Sequence, residues 1–224
     1  MLKKLRKLLF DLIPGYAWIP LLSVVVWDII VYFLSKAVIP EARYHYIAGD
    51  LDRSLPLVPA FVYVYVLAFV QWVVGYVIIA RDSRERCYRV MSGELIAKTI
   101  ALASFLIYPT AMDRPVLEVT NFSTWLLDFL YKADTPAINL LPSLHILLSW
   151  FCFRGAIGLK RMPRWYTWLQ FVFILLVIPS VVLLKQHALI DIPAGIVVAE
   201  IGLFLSKRFR TGRVFERLEK KPKE

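Results

Sequence analysis

The chain has 224 residues, 59% of them apolar, and a formal net charge of +10, with a mean hydropathy of +0.62. The apolar residues come in blocks, not at amphipathic spacing, which excludes an ordinary soluble domain and points to an all-α integral membrane protein. The two cysteines, Cys87 and Cys152, form no CxxC or zinc-ligand spacing, and no P-loop or GxGxxG occurs, so neither a disulfide framework nor a nucleotide fold is indicated.

Residues 1–13 alternate Lys3, Lys4, Arg6 and Lys7 with Leu2, Leu5, Leu8, Leu9 and Phe10, the pattern of a basic amphipathic helix on a membrane surface. A cleavable signal peptide fits poorly, because the following apolar run has no small-residue cleavage site. A bilayer takes roughly 20 apolar residues per helix. On that criterion the chain holds six spans, at 16–38, 57–80, 94–110, 140–157, 165–184 and 187–206. Pro14, Pro20, Pro56 and Pro142 fall near span starts, where a missing N–H costs little. Pro179 and Pro193 lie further in and are expected to kink spans five and six. In the long 111–139 connection, Phe122, Trp125, Leu126, Phe129 and Leu130 recur at helical spacing from Leu117 to Tyr131, with Asn121 or Ser123 as caps. This predicts a helix lying on the outer leaflet. No repeat or linker breaks the chain, so 1–224 reads as a single domain, with a six-span core at 16–206 and a basic tail at 207–224.

Loop charge sets the orientation. One side carries Lys3, Lys4, Arg6 and Lys7, then Arg81, Arg84, Arg86 and Arg89, then Arg154, Lys160, Arg161, Arg164 and the tail. The other carries Arg43, Arg53, Arg114, Lys132 and Lys185. By the positive-inside rule both termini are cytoplasmic, and the 39–56, 111–139 and 185–187 connections face outward. Topology explains the basic excess, with anionic headgroups as its partner and no nucleic acid implied.

The sequence holds three histidines, and His145 and His187 each stand at the edge of an apolar run. Asp191 follows His187 by four residues, so a helix starting near His187 would place the carboxylate on the same face. A carboxylate there holds one imidazole nitrogen and frees the other as base or nucleophile. His145, His187, Ser143, Arg114 and Lys185 all converge on the outer face. Cations beside a helix N-terminus make an anion site, and phosphate is the natural anion among lipids.

Pro142-Ser143-Leu144-His145, then Ser180 and His187-Ala-Leu-Ile-Asp191, resemble the second and third signature motifs of the type 2 phosphatidic acid phosphatase superfamily. Asp113-Arg114-Pro115 resembles the end of the first, and the likeness runs from about Ala111 to Gly195. The Pro-Ser-Leu-His and Lys-Gln-His-x-x-x-Asp forms look like the branch containing inositol phosphorylceramide synthases. The resemblance implies that His187 takes the phosphoryl group, Asp191 orients it, and His145 protonates the leaving alkoxide and then activates water or an acceptor hydroxyl. It implies that Arg114, Ser143 and Ser180 hold phosphate oxygens, and that neither metal nor cofactor is needed; Lys185, outside the family pattern, is expected to add a phosphate-binding cation from its own position. Two of the motifs depart from the pattern, at three positions. Ile107 stands where the first motif has Lys, and Val181 follows Ser180 where the third motif has Arg, with Lys185 in place of a Gly.

The expected activity is hydrolysis of a lipid phosphate monoester or pyrophosphate at the outer leaflet, in a bacterial inner membrane. The alternatives are a lipid phosphotransferase passing a phospho-headgroup to a lipid hydroxyl, a transporter using Asp28, Gln71, Lys98 and Glu200, and a metal site at His145, His187 and Asp191.

Overall fold

A computed structural model describes residues 12–219. The surface helix predicted at 1–13 falls almost wholly outside the described residues, as does the end of the tail. A 3-10 turn at Gly15–Ala17 leads into α1 (Trp18–Val38), followed by β1 (His45–Tyr46), α2 (Asp50–Ser54), α3 (Val62–Asp82) and α4 (Arg84–Ile107). Then come β2 (Thr110–Ala111), α5 (Phe122–Ala133), α6 (Leu144–Ala156), α7 (Arg164–Leu183), α8 (Asp191–Phe209) and α9 (Arg213–Glu219). The protein is mostly helical, with one short parallel strand pair that the all-α expectation did not include.

Four helical stretches among the described residues are long and apolar enough to cross a membrane: Gly15–Val38, Pro59–Asp82, Arg84–Ile107 and Arg164–Leu183. Leu22, Val26, Val73, Trp168, Leu175 and Phe204 stand exposed on the helical bundle, as lipid-facing side chains do. The two remaining predicted spans differ from expectation. The run at 140–157 gives up its first residues to an irregular segment, and α6 keeps 13 residues, about 20 Å at 1.5 Å per residue. Helix α8 has the length, but Asp191, Glu200, Lys207 and Arg208 interrupt its apolar character. Helix α4 starts at Arg84, not at residue 94, because Ser83 caps it by accepting the Arg86 N–H (3.2 Å) ahead of the apolar run. Pro193 is the third residue of α8, in the turn where a proline has no carbonyl partner to lose, so it cannot kink the helix. Pro179 does lie inside α7.

Small residues let α4 and α8 approach closely. A Cβ on Gly93 of α4 would meet the Gly202 carbonyl oxygen of α8 at 3.1 Å, and one on Gly202 would meet Ala97 Cβ at 2.9 Å. Without a hydrophobic drive between helices in lipid, such close backbone approach supplies the packing. At one end of the bundle, the α6 C-terminal carbonyls of Gly155, Ile157 and Gly158 accept from the Arg86 guanidinium (3.1, 2.7 and 2.6 Å), which is itself held by Asp82 (2.9 Å). The tail turns back here instead of running into solvent, with Phe215 buried against Tyr88.

The opposite end carries the stitched loops. His45 and Tyr46 pair with Thr110 and Ala111, and Ala111 bridges to Ile138. Thr110 Oγ1 accepts the Leu140 and Leu141 N–H groups (3.2 and 3.0 Å). These bonds lay the segment after α4 beside the segment before α6. Helix α5 begins at Phe122, not Leu117, with Asn121 capping Thr124 N–H at 3.1 Å. Its Thr124, Leu127 and Tyr131 are buried, and Phe122, Trp125 and Phe129 form an exposed stacked row.

Candidate active site

The two histidine segments meet at the N-terminal ends of α6 and α8. Ser143 N–H donates to the Asp191 carbonyl (3.2 Å), and a Cβ on Gly195 would lie 2.8 Å from the Ser143 carbonyl oxygen. Glycine at 195 therefore lets the α8 backbone press against the start of α6. Ser143 is the N-cap of α6, its Oγ accepting Ile146 N–H at 3.4 Å.

His187 lies in the turn before α8, not on the helix as its spacing from Asp191 suggested, since α8 begins at Asp191 itself. The turn achieves the same approach by another route. Asp191 Oδ2 accepts Ala188 N–H (2.8 Å), which folds 187–191 back on itself and sets His187 Nδ1 3.2 Å from Oδ2 and 3.1 Å from the Leu140 carbonyl. Both neighbours of Nδ1 are acceptors, so the neutral ring carries its proton on Nδ1 and leaves a lone pair on Nε2. Asp191 is fully buried, so removing the ring would strand a carboxylate.

His145 is held differently. Its ring stacks on Tyr65 (centroids 3.9 Å, 19° between planes) and meets Phe69 and Trp72 edge-on at 5.3 and 4.8 Å. Its Nε2 is buried without a hydrogen-bond partner. Both histidines line a cavity of about 340 Å³, which runs from Asn139, Gln186 and His187 at the loop end down to Asp28, Trp72 and Leu148. Asn139 Oδ1 and Gln186 Nε2 are also buried and unpartnered. The cavity thus holds polar atoms that its own walls do not satisfy, which a polar ligand would.

Arg114 stands behind that wall. Its guanidinium reaches Asp134 Oδ2 (2.5 Å), the Asp134 carbonyl (3.2 Å) and Gln186 Oε1 (2.6 Å), and lies over the Tyr131 ring at 4.9 Å. Arginine only donates, so the Gln186 atom it meets is the oxygen, and the Gln186 amide N–H groups point elsewhere. Asp134 also receives Lys36 Nζ and Tyr32 Oη, each at 2.6 Å. Burial pushes the Asp134 carboxyl up, but the Arg114 and Lys36 charges, with hydrogen bonds from Lys36 and Tyr32, outweigh it and hold the group below the usual carboxylate range.

Two of the expected phosphate ligands are turned away. Lys185 adopts a left-handed backbone (φ 52°) and donates to the carbonyls of Asp52 and Leu55 (2.6 and 2.7 Å), capping α2 instead of reaching the cavity. Ser180 is buried inside α7 and donates to the Val177 carbonyl at 2.7 Å. The structure therefore brings His145, His187 and Asp191 together, sets Arg114 one side chain back, leaves Ser143 as a helix cap, and separates Ser180 and Lys185 from the group. Lys36, Tyr32, Asp134, Asn139 and Gln186 join the site without having been singled out in the sequence. For Gln186 and Asn139 the signal was adjacency to the motifs; for Lys36 it was a lone cation closing an outward apolar run.

The groups suggested as a transporter path each have a neighbour across a helix interface. Gln71 donates to Gln170 Oε1 (2.7 Å), Glu200 receives Trp150 Nε1 and Arg154 Nε (2.7 and 2.5 Å), and Lys98 pairs with Glu94 and Asp28 (2.6 and 3.1 Å). Among the described residues, no three His, Cys, Asp or Glu side chains cluster as metal ligands.

Two histidines share a cavity at one end of a helical bundle whose four long apolar helices fit a membrane protein. The family model of the PAP2 superfamily matches residues 51–205, well over half the chain, and the protein belongs to that superfamily. Membership implies a phosphatase or phosphotransferase. No curated protein and no solved structure matches the chain.

Proposed function

We propose that the protein is a membrane lipid phosphatase working through a phosphorylated His187. One observation carries the reading: His187 Nδ1 is fixed by Asp191 and Leu140, and the ring lines a cavity shared with an unpartnered His145 Nε2. The His187 Nε2 lone pair attacks phosphorus, and the bond to the lipid oxygen breaks. Asp191 stabilises the imidazolium-like ring, and His145 Nε2 passes to the leaving alkoxide the proton it takes from the acid form of the bound phosphate. Water then attacks the phospho-histidine and passes a proton to His145, and the N–P bond breaks to release phosphate. Arg114 supports the charge on the phosphate oxygens, aided by the partial positive charge of the α6 N-terminus that Ser143 caps. Metal and cofactor have no part in this scheme.

The chain sits in the membrane as six spans forming one domain, α6 and α8 supplying the two that length and composition alone do not reveal. The reading draws on the loop charges: Arg81, Arg84, Arg86, Arg89, Arg154 and Lys160 cluster at the end of the bundle away from the histidines. The termini are then cytoplasmic, the catalytic face is extracytoplasmic, and the exposed row of α5 lies on the outer leaflet of a bacterial inner membrane. Ile29, Phe33 and Phe69 are exposed yet line the cavity, so the wall between α1 and α3 opens toward lipid. Lipid phosphate substrates fit this opening: phosphatidic acid, phosphatidylglycerol phosphate, isoprenyl phosphates or sphingoid phosphates.

Phosphate release from a panel of lipid phosphates, in detergent with excess chelator, tests the reading. His187→Ala should lower kcat by at least about 10³-fold. Equal release from both proteins would remove His187 as nucleophile. Label appearing on an added lipid alcohol instead of in free phosphate would reassign the protein as a phosphotransferase.

A further inference from the structure

The first-motif lysine position is Ile107, which stands 77% exposed at the end of α4. Yet a second cation does stand beside the cavity. Lys36, in the last turn of α1, places Nζ 2.6 Å from Asp134 Oδ1 and 2.9 Å from Tyr32 Oη. Arg114 reaches the other oxygen of the same carboxylate at 2.5 Å. The Lys36 and Arg114 side chains are only 11% and 8% exposed. Two nearly buried cations thus share one monoanion, beside a cavity that Asp134, Tyr32, Gln186 and both histidines line.

Buried charge is stable only when its partners balance it. Two cations on one carboxylate leave a formal excess of one positive charge, and Arg114 Nε remains without a partner. A phosphate monoester, with up to two charges and three non-bridging oxygens, matches that pair better than Asp134 does. Helix α1 also precedes the matched stretch of 51–205, so the cation it brings lies outside the part of the chain that the family model covers.

We propose that Lys36 is the second phosphate-binding cation of this protein, and that Asp134 is an internal anion that holds Lys36 and Arg114 in place until the substrate phosphate takes over their contacts. The inference rests on the phosphoryl-transfer reading for its biological meaning, but the phosphate seat can be measured without turnover. The rival account is a purely structural clamp tying α1 to the segment after α5.

The two accounts differ in the sign of one effect. Inorganic phosphate binding to the purified full chain in detergent, followed by titration calorimetry, is the probe. Lys36→Met should weaken binding by about ten-fold or more, the scale of one lost charge-assisted hydrogen bond. Lys36→Arg should restore it to within about three-fold, because the charge returns. Asp134→Asn should tighten binding by about five-fold, because a competing like charge is gone. Size-exclusion elution matched to wild type checks the fold of each variant. A structural clamp predicts instead that Asp134→Asn and Lys36→Met weaken binding alike or leave it unchanged, and either result overturns the proposal, as does wild type that binds no phosphate. If lipid turnover depends on His187 while Lys36→Met binds phosphate normally, the inference alone fails. If phosphate binding follows Lys36 but no lipid phosphate is turned over, the catalytic reading fails and the seat stands.

Discussion

Two ionic clusters flank the same cavity, and they are built with opposite stoichiometry. At the loop end, Lys36 and Arg114 share the single acid Asp134. At mid-helix depth, the single amine of Lys98 serves two acids, Glu94 at 2.6 Å and Asp28 at 3.1 Å, and also donates to the Val24 carbonyl at 3.2 Å. The outer cluster has cation to spare beside two histidines, which suits it to an incoming anion. The inner one has no spare donor for an anion and instead ties α1 to α4. On the proposed reading similar residues serve binding in one place and cohesion in the other, and the ratio of acids to bases decides which.

The strongest way to break the comparison is Lys98→Met. It leaves Glu94, fully buried, without its cation, and uncompensated buried charge of this kind costs about 3–5 kcal/mol. The thermal midpoint in detergent should fall markedly, whereas activity per folded molecule stays within about three-fold. An unchanged midpoint would show that the inner cluster does not hold the helices together.

A pH series sharpens the outer half. The folded Asp134 carboxyl lies below its usual range, first opposed by burial and then outweighed by Arg114 and Lys36. Its stabilising contribution is therefore complete above the unfolded carboxylate value and is lost as pH falls through the lowered folded one. The difference in midpoint between wild type and Asp134→Asn should stay flat from about pH 8 to pH 5 and shrink below about pH 4. A difference that grows on acidification would contradict the ion-pair assignment.

The smallest effect is expected from Asp28→Asn. Asp28 is partly exposed in the cavity, and the Lys98–Glu94 contact survives its neutralisation. A midpoint change equivalent to about 1 kcal/mol or less is expected. A loss as large as that of Lys98→Met would make Asp28 an equal partner, and the inner cluster a true triad.

The apolar blocks made the helices legible, because roughly 20 residues of hydrocarbon leave few other readings. The histidine–carboxylate pair was legible too, although the carboxylate approaches through a turn and not along a helix. Cation assignment was not. Lys185 is two residues from His187, and proximity in sequence suggested a shared ligand, but its left-handed backbone sends the amine to the carbonyls of α2. Lys36 lies 98 positions from Asp134 and looked like the ordinary end of a span. Nothing local announces a contact made only when the loops after α4 and α5 are stitched together by Thr110, Ala111 and Ile138.

If the substrate is a lipid, as proposed, the exposed rim formed by Ile29, Phe33 and Phe69 governs how often the centre is visited. A site reached through its flank receives molecules by diffusion in a plane, so its occupancy follows the mole fraction of substrate among neighbouring amphiphiles, not the number per millilitre. Adding inert detergent at fixed bulk substrate would then slow turnover, and the water-soluble product and the lipid product would depart along perpendicular paths.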